Sequence, residues 1–176
     1  TYLSPFVHKY EEEIRSDIKT YGISFSDEAE KEKYITEKTY SYVYQQMQNF
    51  VFGLNVPSRW WTQTPFTNIT LDWTCPTDLA EKGLFLGGYD KGEYVKKFSE
   101  LDTERAIINR ALIEVYSAGD SKWRAFTFPI PTYNITEDFP WESPDTLRIF
   151  EMTAKYGLPY FQNFIGSQYT RVKDEN

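Results

Sequence analysis

The stretch Thr67-Asn68-Ile69-Thr70-Leu71-Asp72-Trp73 alternates residues 67, 69, 71 and 73 against the polar Asn68, Thr70 and Asp72. Successive side chains of an extended chain point to opposite faces, so period two predicts a β-strand with one apolar and one polar face. Pro65 lies before it, and Pro76-Thr77-Asp78 breaks it. Two more stretches read as extended. In residues 125–134, Phe126, Phe128 and Ile130 alternate against Thr127 and Pro129, although Pro129 and Pro131 weaken a central-strand reading because proline cannot donate to a ladder. Residues 159–165 form a short apolar run.

Helical patterns separate these strands. In residues 5–21, Phe6, Tyr10, Ile14 and Ile18 recur every fourth residue among Glu11, Glu12, Glu13 and Arg15, and Gly22 offers a stop. Ser26 and Asp27 supply N-cap chemistry for a second helix reaching about residue 53, with the stripe Ile35, Thr39, Val43, Met47, Phe50 and Leu54. Its length would be ~40 Å at the helical rise per residue, and Tyr40, Tyr42 and Tyr44 widen its apolar side, as befits a larger assembly. Residues 83–92 hold four glycines and read as a loop or short hairpin. A third helix over residues 94–117 carries Phe98, Leu101, Ile108, Leu112 and Val115, and Ala118-Gly119-Asp120 ends it. Ser143-Pro144-Asp145 reads as N-cap, N1 proline and acidic first turn of a fourth helix bearing Leu147, Phe150 and Ala154, closed by Gly157 and Pro159. The expected order is helix, helix, strand, helix, strand, helix, strand. Such alternation predicts an α/β fold with parallel strands joined by helices. The chain reads as one unit, with a helical part at 1–55, a strand–helix part at 56–165 and a polar tail at 166–176.

Composition excludes several functions. Hydrophobic residues make 40% of the 176 and aromatics 18%, enough to build a core and too much for a disordered chain. The formal net charge of -7 and the lack of a basic stripe argue against nucleic-acid binding. No signal peptide is expected in residues 1–13, and no apolar run approaches the ~20 residues of a membrane span. Cys75 is the one cysteine, so no intrachain disulfide or cysteine-based zinc site can form, and a reducing, cytoplasmic setting is the simplest reading. The sequons at Asn68 and Asn134 lie in strand-like segments, unsuited to glycosylation.

Individual residues give little chemistry by themselves. His8, beside Lys9, reads as a surface histidine, and Cys75 as a small inert core residue. Glu137-Asp138 and Glu142 with Asp145 could be glycosidase carboxylates, but helix capping explains them as well. Trp60, Trp61, Trp73, Trp123 and Trp141 could stack on sugars, though core packing is the simpler expectation. No P-loop, dinucleotide fingerprint, zinc signature or nucleophile elbow is present.

Three longer strings carry a resemblance. QTPFTNITLD (63–72), FTFPIPTYNITEDF (126–139) and EMTAKYGLPYFQNF (151–164), with IINRA (107–111) between the first two, resemble anaerobic, class III ribonucleoside-triphosphate reductases in content, order and spacing. The resemblance covers roughly residues 40–166. It implies part of a ten-stranded α/β barrel in an enzyme that reduces ribonucleoside triphosphates to deoxyribonucleotides for DNA synthesis. It further implies a glycyl radical, ATP and deoxynucleotide effectors, a C-terminal zinc site, a radical-SAM activating enzyme and a homodimer, with no membrane or nucleic-acid partner. The radical cysteine of the family lies just beyond the Pro-Tyr-Phe-x-Asn-Phe strand. Cys75 does not match it, so no catalytic residue is assigned and the chain alone is expected to be inactive. Thr67, Asn68, Thr132, Tyr133, Asn134 and Asn163, at or near strand ends, are the candidates for lining the substrate, although satisfying buried backbone would explain them equally. The alternatives are a stand-alone binding or regulatory module of a split reductase, and a carbohydrate-binding or glycosidase domain.

Overall fold

In a computed structural model, which describes residues 1–57, 63–84 and 96–166, the three extended stretches pair side by side in chain order. Strand β1 (Asn68–Leu71) pairs in parallel with β2 (Ile130–Ile135), and β2 in parallel with β3 (Tyr160–Asn163). Thr70 lies opposite Thr132, which lies opposite Tyr160. Parallel neighbours need a long crossover, and helices supply it. The elements run α1 (Ser4–Tyr21), α2 (Glu28–Asn55), β1, α3 (Thr77–Ala80), a 3₁₀ turn (Phe98–Glu100), α4 (Asp102–Ala118), β2, α5 (Pro144–Tyr156) and β3. The chain is thus mixed α/β with a parallel three-stranded sheet. No helix among the described residues is long and apolar enough to cross a membrane.

Two compact units emerge, one of residues 1–47 and 75–111, the other of residues 48–74 and 112–176. In the first, Ile14, Ile18 and Ile35 form a cluster covered by Tyr10, Phe25 and Tyr34, and the Tyr10 and Tyr42 rings stack at 3.9 Å. Arg15 clasps both oxygens of Glu32 at 2.6 and 2.8 Å. Reciprocal bonds from the Glu30 amide to Asp27 and from the Ser26 amide to Glu30 cap α2, as its sequence forecasts. Most of the glycine-rich stretch at 83–92 lies outside the described residues, but Gly83 forms an antiparallel bridge with Lys97.

The second unit holds the sheet. Leu71, Pro131, Tyr133 and Ile135 are buried, as are Ile149 and Met152 of α5. Pro131 is tolerated in the middle strand for a geometric reason. Amides alternate sides along a strand, and the Ile130 amide bonds β1 through the Thr67 carbonyl, so position 131 faces β3, whose pairing begins only at Thr132. The strand therefore starts later than its apolar alternation suggests. Phe126 and Phe128 are buried but precede it, held extended by Asn55, whose Oδ1 accepts from both the Thr127 and Phe128 amides at 3.2 Å.

Several expectations need correction. Phe6 is 63% exposed, whereas Val7 and His8 are buried. A strict every-fourth stripe precesses about 40° per step on a helix of 3.6 residues per turn, which carries Phe6 off the face of Ile14 and Ile18. Likewise Val51 rather than Phe50 is buried on α2, and Ile149 and Met152 rather than Leu147 and Phe150 on α5. His8 is no surface residue, at 7% exposure. Strand β1 already ends at Leu71, short of Trp73, and Pro76-Thr77-Asp78 opens the one-turn α3 instead of breaking the strand. The third helix proper starts at Asp102, after the 3₁₀ turn, and the expected positions 94 and 95 lie outside the described residues. The tail beyond residue 166 lies outside them too.

Candidate functional site

The pleat divides the sheet into two chemically distinct faces. Leu71, Tyr133 and, by register, Asn163 share one face; Asn68, Thr70, Thr132, Asn134 and Gln162 share the other. On the polar face, Asn68 Nδ2 donates to Thr132 Oγ1 at 3.0 Å, and Asn134 Nδ2 donates to Asp72 Oδ1 at 2.9 Å. These rungs cross from β1 to β2 and tie the two strands through side chains as well as backbone. Asn134 Oδ1 is buried and has no hydrogen-bond partner among the described residues. A buried acceptor without a donor costs free energy, so its position asks for a hydroxyl or amide.

Beyond the carboxyl ends of β1 and β2 the polar row continues. Thr74 Oγ1 lies 3.4 Å from Thr136 Oγ1 and donates to Asp138 Oδ1 at 3.3 Å, while Thr136 Oγ1 also donates to Asp138. Open parallel sheets receive ligands outside the carboxyl ends of their strands, where loops diverge. Asp72, Thr74, Asn134, Thr136 and Asp138 gather at that end.

The six residues singled out from the sequence are not all brought together. Asn68, Thr132 and Asn134 share the polar face. Tyr133 is on the other side, 1% exposed, beside Trp73 at a ring distance of 5.8 Å, and burial drives its phenol pKa strongly upward. Asn163 spends its Oδ1 on the Ile165 amide at 2.8 Å. Thr67 precedes β1 and gives its carbonyl to the Ile130 amide. Asp72, Thr74 and Thr136 were not singled out. The period-two pattern that put Asp72 on the polar face with Asn68 was the signal for it, while Thr74 and Thr136 lie past the strand ends, where no period applies.

Of the tryptophans, Trp73 packs half-buried against the buried Tyr133 and Phe139, whereas Trp123 and Trp141 depart from core packing. Trp123 is 77% and Trp141 49% exposed, and Trp60 and Trp61 lie outside the described residues. Trp141 belongs to a row of rings in which it crosses Phe139 edge-on at 4.8 Å and stacks on Phe150 at 6.4 Å. Asp145 sits in the first turn of α5, which Ser143 caps, and lies 3.6 Å from Arg148, while Asp138 accepts from Thr74 and Thr136. Cys75 is half-buried, its thiol 3.7 Å from the Pro76 carbonyl.

Comparison with known proteins agrees with the three sequence strings. No individual curated protein matches the chain. The family profile described as anaerobic ribonucleoside-triphosphate reductase matches residues 1–175, essentially the whole sequence, and the chain belongs to that family.

Proposed function

We propose that this chain supplies part of the catalytic α/β barrel of an anaerobic reductase, and that the polar face at the carboxyl ends of β1 and β2 holds the ribose of a ribonucleoside triphosphate. The observation that carries the reading is the pairing of Asp72 with Asn134, which leaves a buried amide oxygen without a donor. Ribose hydroxyls are donors, and a carboxylate beside a free amide oxygen offers the acceptors they need. The chain's own residues would orient the sugar and shield it from water, which is the part of the barrier that positioning can lower.

The family's glycyl radical supplies one-electron chemistry, and no residue here matches its glycine or the radical cysteine. A zinc site of cysteines does not fit these residues either, since Cys75 is the one cysteine present. We assign radical storage, effector binding and contact with a radical-SAM activating enzyme to other parts of a cytoplasmic, homodimeric reductase. The 176 residues alone should therefore yield no deoxynucleotide from CTP or ATP, even with an activating enzyme and a reductant.

The test uses a complete reductase containing this sequence. Asn134→Ala and Asp72→Asn should each lower kcat/KM for CTP by about 10–100-fold, the loss expected when buried polar recognition of a hydroxyl is removed. Unchanged kcat/KM in both variants would overturn the assignment of the ribose site. Turnover by the 176-residue chain alone would overturn the division of labour.

A further inference from the structure

We propose that His8, Glu11 and Glu104 form a site for a divalent first-row metal ion of the zinc and cobalt class. His8 and Glu11 stand three residues apart on α1 and so face the same way, and Glu104 comes from the first turn of α4. One ligand atom from each lies within 4.8 Å of the others. Bonds of about 2.0–2.2 Å from a central ion need donor atoms roughly 3–4.4 Å apart, so small side-chain adjustments complete the set. His8 Nδ1 is already 3.3 Å from Glu104 Oε1.

The burial and charge of the cluster separate it from ordinary surface carboxylates. His8 is 7% and Glu104 3% exposed, so neither is freely hydrated. Burial, and then the nearby Lys96 charge, lower the histidine pKa, which keeps the imidazole neutral with a lone pair to give. Lys96 Nζ covers the cluster at 3.5 Å from His8 and 3.7 Å from Glu104, longer than charge-assisted hydrogen bonds at ~2.7–2.9 Å. Its side chain is 36% exposed and can turn to solvent. The Arg15 guanidinium near Glu11 is committed to both oxygens of Glu32, so the two carboxylates of the cluster face Lys96 with an excess of negative charge, which a dication would cancel. Three protein ligands would leave a fourth position for water, and the ion would clip α1 to α4.

The experiment titrates Co(II) and Zn(II) separately into the complete chain. The expected result is saturation at one equivalent, with Co(II) d–d absorption near tetrahedral intensity and a raised melting temperature. Glu11→Gln, at a half-buried position that leaves the fold undisturbed by circular dichroism, should weaken binding at least tenfold, and His8→Gln should abolish it. Lys96→Met should tighten it, because the competing cation is gone. Absence of one-equivalent binding, or binding indifferent to Glu11→Gln and Lys96→Met, would reduce the cluster to an internal ion-pair network.

Discussion

At the scale of single residues, Trp123 shows how far a side chain can depart from its hydropathy. It has φ of 61°, in the left-handed region, and its indole is 77% exposed. Asp120 imposes that shape: its Oδ1 accepts from the Lys122 and Arg124 amides at 2.8 and 2.9 Å, and the Arg124 guanidinium holds its carboxyl down to about 2. Nothing in a tryptophan announces a left-handed turn, so core packing was the natural expectation. Trp123→Gly should raise stability by about 1 kcal/mol in thermal or urea unfolding, since glycine adopts that φ without strain and little packing is lost. The burial of His8 is invisible in the sequence for another reason, because its partner Glu104 is distant in sequence and only folding brings the two helices together. Beside them, burial and then the Glu104 charge push Glu11 up to about 6. A carboxyl raised in the folded state binds more protons than in the unfolded chain, so stability should decline as pH rises from about 4.5 to 6. The decline should be on the order of 1 kcal/mol, and Glu11→Gln should remove it in pH-dependent urea melts.

At the scale of elements, caps were more legible than faces. Ser143 accepts from the Thr146 amide at 3.1 Å and Gly157 closes α5 at φ 70°, both as the local sequence dictates. Capping depends on a few adjacent residues, which a sequence displays directly. Ser143→Ala should cost about 1 kcal/mol in chemical denaturation, the usual value for losing an N-cap hydroxyl. Faces depend on neighbours remote in sequence. On α5, both the Ile149 side and the Phe150 side carry apolar residues, and periodicity could not say which one the core would take. In β1 the alternation decided better: Leu71 is buried at 6% and Thr70 is exposed. Leu71→Ala should therefore cost ~2–5 kcal/mol and Thr70→Ala much less, as equilibrium unfolding would show. The start of β2 was displaced because Asn55, far away in sequence, holds residues 127 and 128 by side-chain bonds that no strand pattern records.

At the scale of the whole molecule, alternation of helices and strands sufficed for a parallel sheet, and the extended strings sufficed for the family. The candidate site was half legible: strand alternation placed Asn68, Thr132 and Asn134 on one face and Tyr133 on the other, but only register decided that Asn163 shares the face of Tyr133. Strand β3 is exposed along all four residues, with Tyr160 58% and Phe161 40% accessible, and its outer backbone groups have no neighbouring strand among the described residues. Such an edge is a template on which another chain can add, and the net charge of -7 gives only diffuse repulsion against it. Concentrated preparations should coalesce slowly into β-rich aggregates seeded at this strand. Tyr160→Lys should lengthen the lag before light scattering rises while leaving the far-ultraviolet circular dichroism unchanged, since a lysine on an edge blocks the approach of a second strand at almost no cost to the first.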